Sequence, residues 1–275
     1  MNRTKIEWAD AVWNPIVGCS KCSPGCRNCY AESFAHRLKG VGNPAYQDVV
    51  DERGWTGKLV LRKDELEKPL HWRKPRRVFV CSMGDLFHEE VPFESIDRVF
   101  AVMALASRHT FLLLTKRSRR MLEYLGWSSE KPDIIGRHDR GQKIDSSGHI
   151  GEYICGFTRC RWPIANVHTG VTVENGDYRY RIDDLRKTPA AVRFVSLEPM
   201  LGPMGDLNLD GIHWVIAGGE SGPNARPAHP DWFRKVRDDC AAAGVPFFLK
   251  QVGPTKVAGR LLDGREHNEL PGEAR

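Results

Sequence analysis

The stretch TFLLLTKR (residues 110–117) is apolar at consecutive positions and then turns abruptly basic. A strand with one wet face alternates apolar and polar residues. A run without alternation needs cover on both faces, as in a parallel sheet packed between layers. Before it in the chain stand AVWNPIV (11–17), weakened as a strand by Pro15, and RVFVCS (77–82). After it come VHTGVTV (167–173), VRFVSL (192–197), HWVIA (213–217) and PFFL (246–249). Between them lie helical patterns: Phe93, Ile96, Val99, Phe100, Met103 and Leu105 within 92–108, then Met121, Leu122 and Leu125. Further helices are predicted over 178–187 and 231–243, the latter capped by Asp231, and a short turn over 63–68 before Pro69. Seven strands alternating with helices predict one α/β domain over 1–275, a complete or partial parallel (β/α) barrel.

The strand ends carry the chemistry. Cys19, Asp85, Lys116, Glu174, Glu198, Glu220 and Lys250 each stand just beyond an apolar run. In a parallel barrel those ends converge on the face that holds the active site. One polar residue at a strand boundary is ordinary; seven predict a site. Residues 126–161 break the rhythm with Gly, Ser and charge, and are read as a loop insertion.

The first strand leads into WNPIVGCSKCSPGCRNCYAESFAHRL (13–38), where Cys19, Cys22, Cys26 and Cys29 fall within eleven residues. Gly18, Pro24 and Gly25 keep this segment irregular, and residues 31–38 can be helical. The opening MNRTKIEWAD has no apolar core of a secretory signal, and no run of about 18 apolar residues exists. A cytoplasmic protein with reduced thiols and no membrane span is therefore expected, which turns the cluster from disulfides towards metal. The pairs Cys19/Cys22 and Cys26/Cys29 suit a zinc site, although only three residues separate them. Soft thiolates suit an iron–sulfur cluster, whose catalytic form needs three ligands and one open iron, and the tight spacing favours it over zinc or over unliganded buried cysteines. Both readings stay open on the residues alone.

Charged residues at 28% and apolar ones at 41% describe a globular domain, and the net charge of +6 permits nucleic acid without demanding it. Trp55 and Trp72, among Lys58, Arg62, Arg73, Lys74, Arg76 and Arg77, form the best candidate patch for it. Lys116 and Arg117 can hold a carboxylate or phosphate, or simply start a solvated helix. Glu174 with Arg179 and Arg181 can position a ligand or be a surface ion pair. Gly218-Gly219-Glu220 gives close backbone approach and an acceptor for a ligand, or an ordinary tight turn. Cys155 and Cys160 can join His149 or His168 at a second metal, free thiols being the plainer reading; Cys81 and Cys240 read as core.

Long motifs carry a resemblance over nearly the whole chain apart from the insertion: WNPIVGC…SPGCRNCYAESFA, MGDLFH, LLTKR, GVTVEN, VRFVSLEPMLGP, WVIAGGESGPNARPAHPDWFRKVRDDC and VPFFLKQVG. They resemble a phage- and prophage-associated three-cysteine-motif family of uncharacterised proteins, itself similar to radical S-adenosylmethionine (SAM) barrels of the spore photoproduct lyase type. The resemblance implies a [4Fe-4S] cluster on Cys19, Cys26 and Cys29, with Cys22 an extra thiol. The spacing of Cys22, Cys26 and Cys29 resembles the radical SAM motif instead, and the two assignments conflict. It further implies SAM bound near Asp85, Lys116, Glu174, Glu198, Gly218, Gly219 and Glu220, and an external electron donor. The cluster would reduce SAM, and a 5′-deoxyadenosyl radical would abstract hydrogen from a substrate, with a nucleobase in DNA or RNA as the guess. Two features depart from that pattern: Asn28 replaces the usual aromatic before the last cysteine, and Gly-Gly-Glu follows the sixth strand rather than the second. The rival expectation is a non-enzymatic, metal-stabilised nucleic-acid-binding or phage accessory protein.

Overall fold

The structure, a computed structural model, describes residues 4, 6–130, 162–253 and 259–272. Seven strands form one sheet: β1 (Ala11–Trp13), β2 (Arg77–Val80), β3 (Thr110–Thr115), β4 (Val167–Thr172), β5 (Val192–Leu197), β6 (Trp214–Gly218) and β7 (Phe247–Gln251). They lie side by side in chain order, and every pairing is parallel. The five main helices are α1 (Tyr30–Gly40), α2 (Phe93–Leu105), α3 (Ser118–Glu130), α4 (Tyr180–Lys187) and α5 (Pro230–Ala243). The sheet is a half-barrel, and β1 does not meet β7. Of the expected complete or partial barrel, the partial form is the one present. The free edge of β7 is covered by the C-terminal segment: Leu249 donates its N–H to His267 O (2.8 Å), and Phe248 bridges Asn268 antiparallel. An edge so paired offers no ladder to another chain.

Three sequence expectations change. The first strand stops at Trp13, because Pro15 interrupts it; Ile16–Val17 pairs antiparallel with Val60–Leu61 instead. Gly126 to Glu130, read as the start of the insertion, continue α3, and the rest of that reading (131–161, with Cys155 and Cys160) lies outside the described residues. His229, not Asp231, caps α5: its ring accepts the Asp231 N–H at 3.3 Å, with Pro230 in the first turn.

Non-alternating strands work because both faces are packed. One face buries Phe111, Leu113, Val171, Val195, Leu197 and Val215 against Val99 and Met103 of α2, Met121 and Tyr124 of α3, and Phe233 of α5. The other holds Phe79, Leu112, Phe194, Trp214, Ile216 and Phe248, with Trp8 closing over them edge-on to Phe79 (4.9 Å) and Trp214 (6.3 Å). Gly170 makes room on this second face: a Cβ there would lie 2.6 Å from the Phe194 ring. Gly170→Ala is therefore expected to destabilise by about 1–3 kcal/mol through overpacking. Urea unfolding measures it; an unchanged midpoint would mean that the ring yields freely.

Candidate metal centre

The cysteine segment follows from two glycines. After β1, Gly18 adopts φ +100°, and a Cβ there would stand 2.2 Å from Lys58 O. Gly18 pairs with Gly84, the residue before Asp85, in a parallel bridge just past the β2 end. The chain thus delivers Cys19 beside the C-terminal ends of β1 and β2. A 3-10 turn at Pro24–Cys26 then reverses it, and Cys29 becomes the N-cap position of α1.

Three strand-end carboxylates tie this segment down. Asp85 accepts from Thr115 Oγ1 (2.7 and 2.9 Å), from the N–H of Phe87 (3.0 Å) and from Arg117 Nη1 (3.1 Å). Arg117 Nη2 in turn donates to Ser20 O (3.1 Å) and Oγ (2.8 Å). Glu174, wholly buried, accepts at Oε1 from Ser23 Oγ and from Lys116 Nζ, each at 2.6 Å, and at Oε2 from Arg181 Nη1 at 3.0 Å. Gly25 packs against it so closely that a Cβ would lie 2.7 Å from its side chain. Glu220 accepts from Asn28 Nδ2 (2.9 Å) and, bidentately, from Arg226 Nη2 (2.5 Å) and Nε (2.8 Å); Arg226 Nη2 also donates to Pro24 O (3.0 Å). Residues 20, 23, 24 and 28 of the segment are each held by one of these networks. Charge-assisted hydrogen bonds of this kind are the strong ones.

The thiols gather inside that frame. Arg117 Nη1 stands 3.8 Å from Cys19 Sγ and 3.9 Å from Cys22 Sγ. Cys26 meets Ser23 Oγ at 3.7 Å, with the Cys22 thiol beside it as a donor. That donor, with help from Lys116, holds the Cys26 thiol down to about 5, while burial pushes Cys19 up to about 12. Burial and Arg117 hold the neighbouring His88 imidazole below its ordinary value. Cys26 is buried, Cys19 and Cys29 are half-buried, and Cys22 is exposed. As placed, no three His, Cys, Asp or Glu among the described residues converge tightly enough to hold a single metal ion. The donor chemistry nonetheless fits a soft metal or cluster: four thiols on one segment, with a cation beside two of them.

The predicted ligand-contacting residues separate into two kinds. Glu174 and Glu220 accept directly from the segment, Asp85 holds it only through Arg117, and Lys116 spends its ammonium on Glu174. Glu198 is different: it is half-buried, meets Lys250 Nζ at 2.9 Å and accepts from Ser196 Oγ at 3.2 Å. Gly218 lets that carboxylate in, since a Cβ would lie 2.7 Å from Glu198 Oε1, and Gly219 packs on Val252 O. Both glycines serve close packing in this arrangement. The proposed patch of Trp55 and Trp72 is divided: Trp55 donates its N–H to Glu32 of α1, whereas Trp72 packs on His109 with Arg76 over its ring, before β2. Cys81 and Cys240 are buried, as expected, Cys81 with φ +59° at the β2 end. His168 lines a cavity of about 160 Å³ with Arg77, Thr110 and Trp214, on the other end of the strands from the thiols.

Sequence reasoning missed Ser20, Ser23, Asn28 and Arg226, and left Arg117 between a ligand contact and a solvated helix start, neither of which sets it beside the thiols. Nothing local distinguishes these residues from other polar loop residues; only their partners 97 to 202 positions away do.

The chain is an α/β protein built on a parallel half-barrel, with a segment of four cysteines held over the C-terminal ends of its strands. Residues 3–271 match the family described as proteins of unknown function (DUF5131), and the chain belongs to that family. Nothing among curated proteins or solved structures matches it. Among the described residues no helix is long and apolar enough to cross a membrane.

Two measurements check the pinning. Glu174→Gln leaves buried Arg181 facing a neutral amide and is expected to cost about 3–5 kcal/mol in urea unfolding; a loss below 1 kcal/mol would show the pair to be dispensable. Burial works to raise the Glu220 carboxyl, but Arg226 and Asn28 outweigh it and hold the group down to about 2. A depressed folded-state pKa contributes stability above its ordinary value of 4.5, lost as pH falls towards 2. Glu220→Gln should flatten the stability profile between those values and run parallel to the parent above pH 6. Equal acid slopes would refute the role.

Proposed function

We propose that this chain is a radical SAM-like iron–sulfur enzyme of the phage-associated three-cysteine group, working in the cytoplasm. The observation that carries the reading is the segment of four thiols fixed by three carboxylate networks over the C-terminal mouth of a parallel half-barrel. A stable fold does not need so polar an apparatus around an irregular segment; a bound group does. When bound, a [4Fe-4S] cluster supplies one electron, taken from an external donor, for reductive cleavage of SAM. Cys19, Cys26 and Cys29 are the proposed ligands: they stand further inside the frame than exposed Cys22. Glu198 and Lys250 are the charged groups left to meet a ligand, the first suited to an ammonium or ribose hydroxyl, the second to a carboxylate. The proposed substrate class is a nucleobase, free or within nucleic acid, in keeping with the basic net charge.

One observation favours a second reading. Arg117 Nη1 lies against Cys22 as closely as against Cys19, which brings the fourth thiol into the set, and four ligands close a site. A structural zinc in a non-enzymatic nucleic-acid-binding or accessory protein would use it so.

Anaerobic purification with iron, sulfide and zinc analysis, absorption and EPR spectra separates the two. The expected result is a reducible four-iron cluster that is lost in Cys19→Ala, survives in Cys22→Ala and cleaves SAM. Zinc alone, requiring all four cysteines, would replace the enzyme with the structural protein. A cluster lost in Cys22→Ala and kept in Cys19→Ala would move the ligands to Cys22, Cys26 and Cys29.

A further inference from the structure

Arg117 is buried, with 7% of its surface exposed, and its guanidinium is fixed on every side. Its own N–H donates to Thr115 Oγ1 at 2.9 Å, which sets the direction of the side chain at the β3 end. Nη2 holds Ser20, and Ser20 Oγ is in turn 2.8 Å from His88 Nε2. Nη1 bonds Asp85 and lies against two sulfurs, Cys19 and Cys22. Nε donates to Glu89 Oε2 at 2.8 Å, and the Glu89 side chain is 62% exposed. One cation thus stands between thiols on its inner side and a solvent-facing carboxylate on its outer side.

We infer that Arg117 is a positioning residue that sets the reduction potential of the group held by the thiols, with Glu89 as its counterweight at the surface. The inference rests on the cluster reading above. One-electron reduction adds a negative charge to a thiolate-bound cluster, the electron coming from an external reductant. A fixed, buried cation 3.8 Å from the sulfur of Cys19, the proposed ligand it touches, would stabilise that added charge. Hydrogen bonds to ligand sulfur act in the same direction. Glu89 opposes the cation from the water side, where screening weakens it without abolishing it. Removing the two charges should therefore move the potential in opposite directions. A role confined to holding the segment in place gives no such opposition, since losing either partner of the pair would loosen the same contact.

The experiment uses the full chain, purified anaerobically and reconstituted with iron and sulfide. Parent, Glu89→Gln, Arg117→Lys and Arg117→Gln are compared for iron and sulfide per chain and for midpoint potential by EPR at dithionite-poised potentials. Glu89→Gln is expected to raise the potential and Arg117→Gln to lower it. Each shift should be on the order of tenfold in the reduction equilibrium, about 59 mV for one electron. Arg117→Lys, which keeps the charge and loses the fork, should fall between parent and Arg117→Gln. Full clusters with equal potentials, or shifts of one sign in both neutral variants, overturn the inference and leave the cluster reading standing. A parent without iron or sulfide overturns that reading, and this inference with it. If Arg117→Gln fails to fold, the surface variant Glu89→Gln decides by its sign: a rise supports the inference, and no rise overturns it.

Discussion

An irregular segment carrying four thiols can hold them in place only if something outside it does the holding. Here that task falls to three carboxylates, Asp85, Glu174 and Glu220, each aimed from the end of a different strand. Burying such groups is expensive, because each must leave water, and it is tolerable only when every oxygen finds a donor. Glu174 meets that condition with Lys116, Ser23 and Arg181, and Asp85 with Thr115, Phe87 and Arg117. The return on this cost is position rather than stability. A segment tied at residues 20, 23, 24 and 28 has little freedom left to move its sulfurs.

That arrangement divides labour around the mouth of the half-barrel. Groups with saturated oxygens are part of the frame and offer little to an incoming molecule. The Glu198–Lys250 pair is lighter in hydrogen bonds and half-exposed, which is why the proposed reading gives it the ligand. Tyr30 extends the same rim: its hydroxyl donates to Ser82 O at 3.0 Å while its ring stays 58% exposed beside Cys29.

The half-barrel makes this possible by leaving room above a filled base. Phe79, Leu112, Phe194, Trp214 and Phe248 occupy the lower part of the second face, with Trp8 over them. The charged residues start one or two positions higher on the same faces, at Glu174, Glu198 and Lys250. Strand order equal to chain order keeps every strand's C-terminal end on one side, so seven separate segments contribute to one surface.

The sequence by itself determined the strands and the donors. Non-alternating apolar runs require cover on both faces wherever they occur, so TFLLLTKR and its six companions were legible one at a time, within a residue or two at most ends. Pro15 likewise announced the break in the first. The thiols, too, were legible, because a cluster within eleven residues needs no tertiary contact to be one. Only the tertiary structure decided what the strand-end charges do. Asp85 and Glu198 look alike in sequence, each following an apolar run, yet one is saturated by Arg117 and Thr115 and the other keeps a single ammonium. The difference lies in partners brought together by strand register, which no local pattern encodes. The same reason made Arg117, legible only as a ligand contact or a solvated helix start, the cation beside the thiols.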